Sequence, residues 1–342
     1  MEAPWFSKKR HGRRGASDRG FALVVVIIVV LLASFLASQL ILQVRTELSI
    51  SHNIKRRVAG HFLAQAGLNL GLFRILDRPM DIPAIGAEED WQDFIHGYEY
   101  QVFLPLGKVT YYVTSEGGKI DLNRSPQALL ELFLQYQLGE GQEEAIAIVV
   151  DSLLDWRDND DLYRENGAES EYYGSLDDPY IPRNGKIEDP ADFFLIRGAG
   201  SMVGKFSAHE VFTVNSMDGR INFNSLTPAM LDFLTGGDKE SVDAYYSAQE
   251  EFRGQLTPAM ASEILGDNFT KFQPYLTFGT PNNPYYYVVG TGYAGVEQDQ
   301  MQSEEAVEAG TALPKQPGTI DSMVIKKEGG AFMCLAWQER YI

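Results

Sequence analysis

The run "FALVVVIIVVLLASFLASQLILQV", residues 21–44, holds twenty-four residues without a charge. As an α-helix it extends about 36 Å, enough to cross a hydrocarbon core with some tilt. It is too long for an ordinary buried core helix. A cleaved secretory signal would have a shorter apolar region followed by small residues at a cut site, whereas helical sequence continues here. Lys8, Lys9, Arg10, Arg13, Arg14 and Arg19 stand against Glu2 and Asp18 in residues 1–20, a net of +4. That basic flank places the N-terminus in the cytoplasm and the chain after Val44 across the membrane.

Formal charge over the whole chain is −18, so the residues after 20 carry −22. A surface that acidic repels phosphate groups and anionic lipid, which excludes a general affinity for nucleic acid. Hydrophobic residues at 44% over 342 positions can build a sizeable core in one large or two ordinary domains. The single cysteine, Cys334, excludes an intramolecular disulfide and paired-cysteine zinc patterns.

From Arg45 to residue 78 the helix pattern turns amphipathic. Ile54, Val58, Phe62, Ala66, Leu70 and Phe73 recur at three- and four-residue spacing, with Arg45, Glu47, Lys55, Arg56 and Arg57 on polar faces. The spacing predicts that the apolar row packs on a soluble domain and that Asp77-Arg78-Pro79 ends the helix. Within 79–117, "YEYQVFLPLGKVTYYVTS" (98–115) reads as a hairpin around Pro105–Gly107. Within 279–342, residues 284–295, 319–328 and 329–341 read as three more strands. The last two are joined by a tight turn at 326–330, and residues 297–317 form a polar, acidic loop. The helical middle, 118–278, is then an insertion around which the strands pair. The expected fold class is α+β, with a long N-terminal helix, a small antiparallel sheet and a large inserted α-helical domain.

The insertion contains a repeat. "GKIDLNRSPQALLELF" (118–133) and "GRINFNSLTPAMLDFL" (219–234) align without a gap, 101 residues apart. Asn123 and Asn224 are expected to close turns through their side chains. Ser125-Pro126 and Thr227-Pro228 are expected to cap helices with proline in the first turn. "LTPAM" at 256–260 repeats 226–230 and predicts a third capped helix. The first copy, continued through "LGEGQEEAIAIVVDSLLDWR", also resembles helix-hairpin-helix DNA modules. Glu140, Glu143 and Glu144 around Gly139 and Gly141 give its hairpin the wrong charge for phosphate.

The stretch "LLDWRDNDDLYRENGAESEYYG" (153–174) crowds seven carboxylates together. Three arrangements are open to it. A catalytic carboxylate pair needs partner chemistry, yet the histidines have no motif partner and no G-x-S-x-G, H-E-x-x-H or phosphate loop occurs. A solvated acidic surface would use Arg157, Arg164 and Arg183 as counter-ions. A calcium site would gather Asp158, Asp160, Asp161 and Glu169 around the turn at Asn166-Gly167. It would not be an EF-hand, because residue 162 is Leu.

"DRGFALVVVIIVVLL" resembles the class III leader of type IV pilins and pseudopilins. That resemblance implies a leader of residues 1–20, cut by a prepilin peptidase after Gly20, with methylation of the new terminus at Phe21. The fifth mature position, glutamate in most members, is Val25, and this departure matches the large minor pseudopilin K of type II secretion systems (the general secretion pathway protein K family). "LLDWRDNDDLYRENGAESEYY" and "YIPRNGKIEDPADFFLIRG" are similar to that family's most recognisable block. The resemblance implies structural Ca²⁺ at Asp158, Asp160, Asp161 and Glu169, with Asp155 and Glu171 as further ligands, although Ser170 stands where the family often has an acid. It also implies two SAM-like helical modules. The implied role is a non-enzymatic subunit anchored in the bacterial inner membrane, with most of the chain periplasmic at the pseudopilus tip. There it would begin assembly with I- and J-type minor pseudopilins. Further implied partners are the major pseudopilin, the prepilin peptidase, the inner-membrane assembly platform, and the secretin or secreted cargo. A minor pilin of a type IV pilus is the alternative in the same class.

Overall fold

A computed structural model of the chain describes residues 17–76, 95–281, 283–295, 318–328 and 331–341. Most of the expected leader, the helix stop at Asp77-Arg78-Pro79, the loop 297–317 and the turn residues 329–330 lie outside the described residues. The chain divides into two units, Met1–Arg56 and Arg57–Ile342.

Helix α1 is continuous from Ser17 to Leu76. In the first unit its side chains from Phe21 to Leu36 are all exposed, and the helix is long and apolar enough to cross a membrane.

The second unit begins with the rest of α1 and a hairpin, β1 (Tyr100–Leu104) and β2 (Gly107–Ser115). The chain then runs through β3 (Ile120–Asp121), α2 (Gln127–Leu138), α3 (Glu143–Arg157), α4 (Ser170–Gly174), α5 (Ala208–Val211) and β4 (Phe212–Thr213). After these come β5 (Ile221–Asn222), α6 (Pro228–Thr235), α7 (Lys239–Glu251), α8 (Pro258–Leu265), α9 (Asp267–Phe272) and β6 (Leu276–Thr277). Three long strands follow, β7 (Tyr285–Ala294), β8 (Thr319–Glu328) and β9 (Ala331–Tyr341). The main sheet is ordered β1-β2-β7-β8-β9 and is antiparallel throughout. Strand β2 pairs directly with β7, so residues 116–284 leave one strand and return to its neighbour. The architecture is the expected α+β one.

The face that α1 presents to the sheet differs from the expected one. Ile54, Val58, Phe62 and Phe73 are exposed, while Gly60, Leu63, Ala64, Gly67, Leu68, Gly71 and Ile75 are buried. The cause is backbone approach. A Cβ on Gly67 would lie 2.9 Å from the Gly290 Cα, and one on Gly290 or Gly292 would collide with helix backbone at Ala64 or Gly60. Small residues on both sides let helix and strand β7 touch, and Leu68 and Ile75 then pack on Val113, Val288 and Ile325. The periodicity of large apolar residues points to the opposite side, because glycine carries no hydropathy signal.

Alternate residues of the strands point to the other face, where Tyr112, Tyr287, Val289 and Val324 form a second cluster. Here the sheet meets the insertion through a buried ion pair. Lys119 pairs with Glu116, Thr213 donates to the same carboxylate, and the Lys119 Nζ sits 3.6 Å from the Tyr287 ring centre. Burial pushes the Lys119 pKa below its ordinary value, opposed by Glu116.

Inside the insertion Phe133 stacks edge-on against Phe206, Phe212 and Phe233 at 5.2–5.3 Å. The two repeat copies have matching geometry: β3 pairs in parallel with β4, and β5 in parallel with β6. The turns are closed two residues earlier than expected. Asp121 accepts the amides of Asn123 and Arg124, and Asn222 accepts that of Asn224. Asn123 and Asn224 instead reach distant chain, accepting the amides of Ile187 and Leu256. Thr227 and Thr257 cap α6 and α8 as expected. Ser125 does not cap α2, because its hydroxyl accepts the Asp121 amide and donates to the Gly219 carbonyl, tying the copies together. Gly139 and Gly141 both take positive φ between α2 and α3, and Glu140, Glu143 and Glu144 around them are exposed.

Candidate metal centre

Helix α3 ends at Arg157 because Asp158, its C-cap, turns to extended backbone. The chain loops through 158–169 and re-enters a helix at Ser170. The turn at Asn166-Gly167 needs its glycine, since a Cβ there would overlap the Asp155 carboxylate. Asp151 fixes the same turn by accepting the Asn166 amide and side chain, each at 3.1 Å.

This loop brings Asp158, Asp160 and Glu169 together, with one carboxylate oxygen from each lying within 4.8 Å of the others. Two ligands of one calcium ion are at most about twice its 2.3–2.6 Å bond length apart, so the three can share an ion. The remaining candidates are placed otherwise. Asp155 is fully buried and paired with Arg164, whose backbone amide it also accepts. Asp161 accepts the Ser170 amide at 3.3 Å. Glu171 is exposed on α4. The structure therefore groups three of the six expected ligands.

Arg164 divides the acidic stretch into served and unserved carboxylates. Its guanidinium bonds Asp155 and, at 2.8 Å, Asp158 Oδ2. The opposite oxygen, Asp158 Oδ1, is buried without a hydrogen-bond partner, and so are both oxygens of Glu169, which is 3% exposed. A buried carboxylate without a partner is costly. Burial, and then the charges of Asp155, Asp158, Asp161 and Asp160, push the Glu169 carboxyl up to about 7. Sequence reasoning missed Asn184. It takes a left-handed backbone (φ 44°), donates to the Asp160 carbonyl at 3.1 Å, and keeps its own Oδ1 buried and unpartnered. The Asn184-Gly185 pair was the available turn signal. All these donors are hard oxygens, the chemistry calcium prefers.

Comparison with known proteins places these residues in context. Residues 115–203 match the family model described as type II secretion system (T2SS), protein K. The matched segment contains the acidic loop and spans about a quarter of the chain. A search of curated proteins returned no match. Among solved structures, a chain of the GspK-GspI-GspJ complex from the enterotoxigenic Escherichia coli type 2 secretion system is similar at 13% identity and a TM-score of 0.45. The match covers 87% of this chain and 99% of that one.

Proposed function

We infer that the chain acts as the K-type minor pseudopilin of a type II secretion system, anchored once in the inner membrane with its second unit in the periplasm. The observation that carries this is the family match over 115–203, which falls on the segment inserted between strands β2 and β7. The apolar helix preceded by a basic leader supports a membrane anchor, and Val25 supports a place outside the ordinary filament shaft. A subunit with so large an insertion suits the tip of a pseudopilus, because it would not stack inside a helical shaft. At the tip it would begin assembly with I- and J-type minor pseudopilins above the major pseudopilin, without catalysis of its own. Processing would cut after Gly20 and methylate Phe21.

Calcium would be held by Asp158, Asp160 and Glu169, with Asn184 beside them. It would neutralise the oxygens that Arg164 leaves unserved and hold the loop between α3 and α4 in place. The two repeat copies would act as SAM-like modules presenting that loop.

Affinity purification of the native complex from membranes, with partners identified by mass spectrometry, tests the reading. Co-purification of other minor pseudopilins and a mature N-terminus at methylated Phe21 are expected. An uncut leader, cleavage near Val44, or recovery of only type IV pilus subunits would overturn it.

A further inference from the structure

A second cluster of ligating side chains lies far in sequence from the acidic loop. His61 of α1 faces Asp321 of β8 and Glu339 of β9, and one donor atom from each residue lies within 4.8 Å of the others. The His61 Nδ1 is 3.5 Å from Asp321 Oδ2 and 3.4 Å from Glu339 Oε1.

Three observations say that these residues are incompletely satisfied within the chain. Asp321 and Glu339 are direct cross-strand partners in the β8–β9 ladder, where like charges destabilise. Asp321 is fully buried, and neither of its oxygens has a hydrogen-bond partner among the described residues. His61 Nδ1 is likewise buried and unpartnered, so the histidine does not close an ordinary hydrogen bond to either acid. N–H···O bonds cluster at about 2.7–3.2 Å, shorter than both contacts.

The distances fit another arrangement. Nitrogen and oxygen ligands about 2.0–2.1 Å from a tetrahedral zinc ion lie roughly 3.3 Å apart. The two measured separations, 3.4 and 3.5 Å, match those of ligands sharing one such ion. The helix is pressed onto the strand here, since a Cβ on Gly60 would lie 2.9 Å from the Thr319 Oγ1. Glu339 is further oriented by the hydroxyl of Tyr341, whose ring lies under Arg57 at 3.5 Å. Oriented ligands of this kind are characteristic of metal sites.

We propose that His61, Asp321 and Glu339 form a site for a divalent transition-metal ion of the zinc class, which clips the C-terminal part of α1 to strands β8 and β9. His61 and Glu339 are 25% and 33% exposed, so the fourth position opens to water. One imidazole and two carboxylates suit zinc, whereas calcium takes oxygen ligands.

The test uses the full chain in detergent, stripped with chelator and titrated with zinc sulfate against a chromophoric competitor, and separately with cobalt chloride. Expected are one zinc per chain, a higher melting temperature with zinc, and visible cobalt absorption bands. His61→Ala and Asp321→Asn should each weaken zinc binding at least about tenfold, the scale seen even for second-shell losses, and remove the cobalt bands. Glu140→Gln, an exposed carboxylate outside both clusters, should change neither. Should a variant fail to fold by circular dichroism, Glu339→Gln on the edge strand gives the same readout. Absence of zinc uptake by the stripped chain, or uptake that survives these substitutions, overturns the proposal.

Discussion

Glu169 should make stability depend on pH differently with and without calcium. The folded chain holds its carboxyl at about 7, against 4.5 when unperturbed. Below about pH 4.5 both folded and unfolded states are protonated there and no penalty exists. Between 4.5 and 7 the unfolded state ionises first, so stability falls as pH rises, and above 7 the loss is complete. At about 1.4 kcal/mol per pKa unit the full loss is near 3 kcal/mol, and water at the loop screens it to about 2–3 kcal/mol. For a unit spanning Arg57–Ile342 this corresponds to roughly 3–5 °C in Tm. Calcium competes with the proton for the same oxygens, so its protection should be weak near pH 5 and largest near pH 8. Asp321 titrates in the same window, which makes the difference between wild type and Glu169→Gln the diagnostic quantity. In chelator the substitution should remove about 2–3 kcal/mol of pH dependence, and in calcium it should abolish the calcium increment. Differential scanning calorimetry of the detergent-solubilised chain reads both. Equal protection by calcium near pH 5 and near pH 8, or identical pH profiles for wild type and Glu169→Gln in chelator, would refute the reasoning.

Lys119→Ala should strand Glu116 as a buried charge between sheet and insertion, costing about 3–5 kcal/mol by urea titration, while Lys119→Met together with Glu116→Gln should cost less. Gly290→Ala should destabilise by about 1–3 kcal/mol or more because the added methyl meets α1 backbone, whereas Gly174→Ala meets nothing within 4 Å and should be neutral or slightly stabilising. Thr227→Ala and Thr257→Ala should each cost about 1 kcal/mol through loss of a helix cap. Ser125→Ala should cost a comparable amount although it caps nothing, because it leaves the Asp121 amide and the Gly219 carbonyl unpaired; thermal unfolding compares the three.

Features written in local sequence could be read without coordinates. An uncharged run of twenty-four residues fixes a long helix whatever surrounds it. The Thr-Pro pairs at 227 and 257 fix two helix starts, because a cap depends only on residues within one turn. The gathering of Asp158, Asp160 and Glu169 was legible because its ends lie eleven positions apart around one turn. Tertiary structure decided everything that depends on what is spent elsewhere. Asp155 stood as a further candidate ligand until its burial against Arg164 removed it from the set, and Ser125 looked like a cap until the second repeat claimed its hydroxyl. The buried face of α1 was invisible because Gly60, Gly67 and Gly71 set it by letting strand β7 approach, and no hydropathy pattern records an absent side chain. His61, Asp321 and Glu339 come from three elements spread over nearly the whole second unit. They meet only because helix and sheet pack backbone to backbone, a distance set by van der Waals contact rather than by any spacing in the chain.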